Sequence, residues 1–289
     1  MNITRYLLAF GGLIALVSPL IAADEKPVTH SFVAATFMKN QVLIVSADGK
    51  VEWEFEAPAC MDVWKLPNGN ILVASRAKGI LEVNRDKKVV WSFKPEGETY
   101  TCQRLANGRT LVGDNRNKRL VEVDAEGKIQ REIKIESNAK EHGMIRTARA
   151  LPGDHFLVCQ REDNVVREYD LMGKVVWEFK ISGPMTAIRL ANGNTLMSSV
   201  SGEFVEADAK GQVVWKLAKT DFPGGGKGKP YGLQRLPNGN TVACLEGSVY
   251  EFTPEKKLVW SRADPFLAGL MCVQLLDVPG DATKGEVLR

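Results

Sequence analysis

Along most of this chain, apolar and polar residues trade places in short runs. VEWEF (51–55) alternates as half-buried strands do, while VLIV (42–45) and ILVA (71–74) are apolar throughout, as strands covered on both faces would be. Clusters of Gly, Asn, Asp and Pro end each run. The pattern predicts a chain of short strands joined by tight turns.

The strands repeat. LPNGN stands at 66–70 and again at 236–240, LANGR at 105–109, LANGN at 190–194 and LPGDH at 151–155. The leucines that open these segments are Leu66, Leu105, Leu151, Leu190 and Leu236, separated in turn by 39, 46, 39 and 46 residues. Each unit closes on a similar strand pair: ILEVNRDKKVVWSF (80–93), VREYDLMGKVVWEF (166–179), FVEADAKGQVVWKL (204–217) and VYEFTPEKKLVWSR (249–262). Periods of about 40–45 residues with four short strands are the signature of propeller blades. The Asn-Gly pairs predict two-residue type I′ hairpins, with Gly153-Asp154 in the same place. The turns Asp124–Gly127, Asp170–Gly173 and Asp208–Gly211 predict type I turns with a G1 bulge. LPNGN is therefore a hairpin device, not a site.

Five full units run from Cys60 to Arg262. Residues 31–55 supply three strands and lack a first, and LMCVQLLDVPGD (270–281) reads as a lone first strand. The expected architecture is all-β: a six-bladed β-propeller of four-stranded antiparallel blades, closed by N- and C-terminal strands that share one blade. Residues 24–289 form this single domain. Trp53, Trp91, Trp177, Trp215 and Trp260 fall at one register, with Arg131 there in the third unit. Their framework position predicts indoles wedged between blades.

First strands should line the channel. Val63, Cys102, Ala148, Ala187, Leu233 and Val273 read as packing between blades. The flanking rows, Asp62, Thr101, Thr147, Thr186, Gly232 and Cys272, then Trp64, Gln103, Arg149, Ile188, Gln234 and Gln274, are mostly polar and predict a wet pore. The tight turns share one face, so the irregular face carries the crossings between blades and the second-to-third turns. Its two long crossings, 134–146 and 218–230, read as flaps over the pore mouth or as surface insertions, and PGGGKGK as a mobile basic loop lacking phosphate-loop spacing. Candidate binding residues are Tyr100, Gln103, Arg116, Arg146, Arg149, Arg161, Tyr231 and Gln234; arginines in such a rim hold carboxylate, sulfate or phosphate by paired hydrogen bonds. Of three histidines, His142 alone falls near the pore as a candidate general acid or base.

Composition narrows the setting. Residues 1–23 carry Arg5, an apolar run from Tyr6 to Val17, then Ser18-Pro19 and Ala22-Ala23, the layout of a secretory signal peptide. The run is shorter than the roughly 20 residues of a spanning helix, so a periplasmic or secreted protein without a membrane span is expected. The net charge of +3, with both signs interspersed, gives no basic stripe for nucleic acid. Cys60, Cys102, Cys159, Cys244 and Cys272 are odd in number and lack metal-ligand spacing, so at least one free thiol and no metal site are expected; Cys60, Cys102 and Cys272 fall on first strands.

The repeat LPNGN-x-L-V followed by D-x-x-G-K-V-V-W-x-F resembles the pyrroloquinoline-quinone-like (PQQ-like) propeller repeat of exported bacterial proteins, over about residues 31–281. Quinone-dependent dehydrogenases of that broad group have eight blades and an adjacent cysteine pair. Six units without Cys-Cys imply no bound quinone, and no other cofactor is expected. The LPNGN-and-Trp pattern is also similar to that of bacterial arylsulfotransferases, whose pore histidine stands among histidines and arginines. His142, Arg146 and Arg149 approach that arrangement, while the first-strand histidine is missing. The expected function is a non-catalytic, monomeric scaffold that binds a small anion or a protein at its irregular face. The alternative is an arylsulfotransferase-like or lyase enzyme at the pore mouth.

Overall fold

The computed structural model describes residues 27–140 and 142–289; the expected signal peptide, 1–23, lies outside the described residues. Six four-stranded antiparallel sheets form a ring, a six-bladed β-propeller. Blade 1 joins the two ends of the described chain, in the order Leu270–Leu275, Phe32–Thr36, Gln41–Val45, Val51–Glu56. Val273 lies opposite Ala34 and Leu275 opposite Phe32, so the tail strand completes the N-terminal blade. Blades 2 to 6 open on Cys60–Lys65, Cys102–Arg104, Thr147–Leu151, Pro184–Arg189 and Pro230–Arg235. These first strands adjoin one another at the centre.

Both turns within a blade use one geometry. At LPNGN the Gly69 amide donates to the Leu66 carbonyl and the Leu66 amide to Asn70. Asn68 is absent from the positive-φ residues while Gly69 sits at φ 85°. This is a type I turn with a G1 bulge, not the expected type I′ hairpin. The Asn68 side chain accepts from the Asn70 amide (3.0 Å), which explains asparagine at that position without a left-handed backbone. Two successive left-handed residues occur at Gly153 and Asp154.

Neighbouring blades are joined by a repeated polar latch that sequence reading did not resolve. A glutamate on the third strand, buried at Glu82 and Glu206 and half-buried at Glu168, pairs with an arginine that closes the first strand of the next blade. The pairs are Glu82–Arg104 at 2.7 Å, Glu168–Arg189 at 2.6 Å and Glu206–Arg235 at 2.8 Å. Each guanidinium stacks on the tryptophan opposite its glutamate: Arg104 on Trp91, Arg189 on Trp177 and Arg235 on Trp215, at 4.8–5.9 Å. The second asparagine of the turn motif holds the same carboxylate, as Asn70 holds Glu82 (2.7 Å) and Asn194 holds Glu206 (2.8 Å); His155 replaces it on Glu168. The tryptophans do bridge blades, since the Nε1 atoms of Trp53, Trp177 and Trp215 donate to Arg85, Ala209 and Pro254 carbonyls of the following blade. Blade 4 carries Ala150 in the arginine position, so Glu122 of blade 3 takes Arg109 and Arg131 from its own sheet. That accounts for Arg131 in the tryptophan register.

At the closure, Leu275 occupies the arginine position and His30 substitutes. Its Nε2 meets Glu251 and its Nδ1 meets Asp277, both at 2.8 Å, and its ring packs edge-on to Trp260.

The channel beneath the irregular face is not a wet pore. Asp62, 1% exposed, accepts from Arg149 through Nη1 (2.9 Å) and Nη2 (3.2 Å) and from Arg289 Nη2 (3.1 Å). Arg289 also donates to the Val63 carbonyl, and its own carbonyl accepts from Arg149 Nε (2.6 Å). Both guanidinium groups stack on Trp64, which is buried. The tail thus inserts Arg289 into the axis, with Leu288 bonded to the Arg235 amide on the way. Burial opposes charge on Asp62, but the two arginines outweigh it and hold the pKa below the ordinary carboxylate range.

The glutamines of the same row also face inward to backbone. Gln103 accepts from the Ala150 amide (2.9 Å), Gln234 from Leu275 (3.1 Å) and Gln274 from Lys65 (2.8 Å), each stitching its blade to the next. All five cysteines are buried free thiols, and burial pushes Cys60 and Cys159 up to about 12.

Three outcomes are expected. Asp62→Asn leaves Arg149 and Arg289 buried without a counter-charge, and urea unfolding should show a loss of about 3–5 kcal/mol. For His30, burial is the largest effect and opposes its charge, yet Glu251 and Asp277 raise the pKa above the ordinary value of 6.5. Its stabilisation is then complete below about pH 6.5 and fades as pH rises through the raised value. Melting curves across that range should lose the alkaline decline in His30→Gln, at a cost near neutrality of about 1–3 kcal/mol. The cysteines should resist an aromatic disulfide reagent in the native protein and all react once it is unfolded.

Candidate functional site at the channel mouth

Six residues at one register ring the channel on the irregular face: Met271, Met61, Tyr100, Arg146, Met185 and Tyr231, one from each blade in ring order. They stand two positions before the row Val63–Cys102–Ala148–Ala187–Leu233–Val273. Strict alternation would turn them the same way as that row. Backbone pairing shows why it does not. The ladder skips Met61 between Cys60 and Asp62, Met185 between Pro184 and Thr186, Met271 between Leu270 and Cys272, and Tyr231 with Gly232 between Pro230 and Leu233. A bulged residue leaves the ladder and its side chain is re-aimed. Tyr100 and Arg146 precede their strands, and the Arg146 amide is fixed to the Cys159 carbonyl (2.8 Å).

The ring encloses a cavity of about 170 Å³, completed by Phe37, Arg76, His142, Gly143, Arg161, Val200 and Lys229 from the turns and crossings. Both long crossings contribute to it. Residues 134–146 bring His142, with the Ile145 amide pinned by the Asn115 side chain (2.7 Å). Residues 218–230 bring Lys229 and are anchored by buried Phe222, whose ring lies 4.9 Å from Phe252.

One wall is a polar cluster. Glu98 pairs with Arg76 (2.7 Å), accepts from the Tyr100 hydroxyl and lies 3.0 Å from His142 Nδ1. Nδ1 is also 2.9 Å from the Tyr100 hydroxyl. Burial raises the Tyr100 pKa, and the bond to Glu98 adds to it. On Glu98 burial opposes charge, but Tyr100, Arg76 and His142 hold the carboxyl below its ordinary range. His142 Nε2 bonds to none of the described residues, and the side chain is 60% exposed.

Arg146 stands differently. It is 4% exposed, and its Nη1 is buried with no hydrogen-bond partner. Arg76, Arg235 and Arg289 also have an orphaned nitrogen, but each pairs with a carboxylate through another one. Arg146 has no carboxylate among the described residues; the Tyr100 ring lies beside it, at 5.5 Å, and Tyr231, Cys272 and Arg161 are also near enough to act on its charge. Burial pushes its pKa down. A desolvated guanidinium without a counter-ion is an unfilled half of an ion pair.

Of the residues expected from sequence, Tyr100, His142, Arg146, Arg161 and Tyr231 meet at this cavity. Arg149, Gln103 and Gln234 do not, being committed to the axial ion cluster and to interblade amides. Arg116 is exposed on the turn after Thr110–Asp114, outside the lining. The missed residues are Glu98, Lys229 and the three methionines; Arg76, on a second-to-third turn of the irregular face, was expected at the rim. The methionines share the register of Tyr100 and Arg146, a signal present in the repeat alignment.

No protein-family model and no curated protein sequence matches the chain. Among solved structures it is similar to a protein of unknown function from Bacteroides caccae, at 22% identity and TM-score 0.75, covering 85% of this chain and 98% of that one. It is also similar to a streptogramin B lyase, at 12% identity and TM-score 0.61, covering 90% and 88%. A catalytically inactive histidine-to-alanine form of virginiamycin B lyase from Staphylococcus aureus, with quinupristin, matches at 14% identity and TM-score 0.58, covering 90% and 94%. These likenesses establish the propeller fold alone.

Proposed function

We propose that the protein is an exported binding propeller that seats a small anion at the channel mouth, on Arg146. The observation that carries this reading is the buried guanidinium without a carboxylate partner, opening on a cavity. Arg161 and Lys229 add positive charge at the rim, and the axial Asp62–Arg149–Arg289 cluster closes the floor, so a ligand enters and leaves by one route. The blade repeat supports kinship with the PQQ-like propellers, and the layout of residues 1–23 supports export to the periplasm or beyond.

One observation favours an enzymic variant of the same reading. Glu98 orients His142 through Nδ1, leaving Nε2 without a bond to any described residue at the cavity that Arg146 lines. A carboxylate–histidine pair beside an anion site can move a proton on the bound molecule, as a lyase would require. Mass spectrometry of each bound anion after incubation decides between them: an unchanged ligand means a binding protein.

Arg146→Met tests the main reading through opposite effects on stability and binding. Removing an uncompensated buried charge should stabilise the free protein by about 1–3 kcal/mol. It should also abolish the rise in melting temperature that anions give the unmodified protein. A variant that is destabilised and keeps the anion response would show that Arg146 is a structural residue.

A further inference from the structure

We infer, resting on the anion-site reading, that the occupant is an aromatic monocarboxylate, a benzoate- or phenylpropionate-like molecule, rather than a compact inorganic anion or a dianion. The ring order supplies the first reason. In a six-membered ring Arg146 lies across from Met271, Tyr100 across from Tyr231, and Met61 across from Met185. One charged post therefore faces apolar and aromatic walls, with Phe37 and Val200 beyond them. A hydrated sulfate or phosphate seated on Arg146 would turn part of its remaining oxygens toward the thioethers of Met271, Met61 and Met185, which cannot donate to them. A carboxylate uses both oxygens on the guanidinium and turns its body toward the methionines and tyrosines. Methionine sulfur packs well at the edge of an aromatic ring and adapts to its outline.

Size and charge give the second. The cavity of about 170 Å³ compares with one of about 150 Å³ that accommodates benzene, so a single ring with a short arm is matched to it. Arg76 is neutralised by Glu98 and Arg161 by Glu162 at 3.0 Å, leaving Arg146 as the buried positive charge without a carboxylate partner among the described residues of the lining. With Arg76 and Arg161 so paired, a second negative charge on the ligand has no unpaired guanidinium among the described residues of the lining to meet. Arg146 with the nearby Lys229 disfavours an α-ammonium, which argues against the aromatic amino acids.

Calorimetric titration of the folded protein with 3-phenylpropionate, benzoate, acetate, sulfate, phosphate and L-phenylalanine tests this. The two aryl carboxylates are expected to bind at least tenfold more tightly than acetate, sulfate or phosphate, and L-phenylalanine at least tenfold more weakly than 3-phenylpropionate. In Arg146→Gln, shown folded by near-ultraviolet circular dichroism, the aryl carboxylates should lose at least tenfold in affinity. Sulfate or phosphate binding as tightly as 3-phenylpropionate would overturn the aromatic assignment and leave the anion site standing. No binding by any of the six probes, or unchanged affinity in the folded variant, would overturn both.

Discussion

The antiparallel pairing of Leu270–Leu275 with Phe32–Thr36 is the constraint on which the remaining architecture rests. Five of the blades are continuous in the chain, and each could align its own hairpins locally. The sixth exists only when the two ends meet, and without it the ring has two open sheet edges and no axis. Closure is also what brings Gln274 to the Lys65 amide, His30 to Glu251 and Arg289 to Asp62, contacts that span more than two hundred residues of sequence. Long-range contacts of this kind lock in after local hairpins have formed.

In five of the six blades the same third-strand carboxylate is met by whatever cation the local sequence supplies, while blade 1 has Ile44 in that place. Arginine on the next blade serves three times, two arginines of the same blade serve Glu122, and histidine serves at the closure. The conserved physical element is the buried carboxylate beside an aromatic or cationic neighbour, held by the turn side chain. Histidine in place of arginine puts a titratable cation at the seam between the ends of the chain.

The two arginines of the central region show how context divides identical side chains. Arg149 is buried with a full complement of acceptors and contributes order to the axis. Arg146, three residues earlier, is as deeply buried and lacks a carboxylate. A fold tolerates such a residue at a cost to its stability, and costs of this sort cluster where a ligand supplies the missing partner. The methionine bulges place adaptable apolar surface across from it at Met271 and beside it at Met185, so the mouth joins one fixed charge to a pliable wall.

The five-letter turn, the period near forty and the orphan strand at the C-terminal end determined the blade number, the strand order and the way the ring closes, because these depend on local turn chemistry and on counting. The same repeats marked Tyr100, His142, Arg146, Arg161 and Tyr231 as mouth residues, since loop position follows from strand order. Which way the first-strand side chains point was decided only in three dimensions. A bulge shifts Met61, Met185, Met271 and Tyr231 out of period-two alternation, and nothing in an alternation pattern registers an unpaired residue. The fate of Arg149 was likewise invisible along the chain, because its partners, Asp62 and Arg289, arrive from distant blades and from the tail. Local sequence sets what each strand can pair with; only the closed ring decides which buried charges find each other and which is left without a carboxylate partner among the described residues.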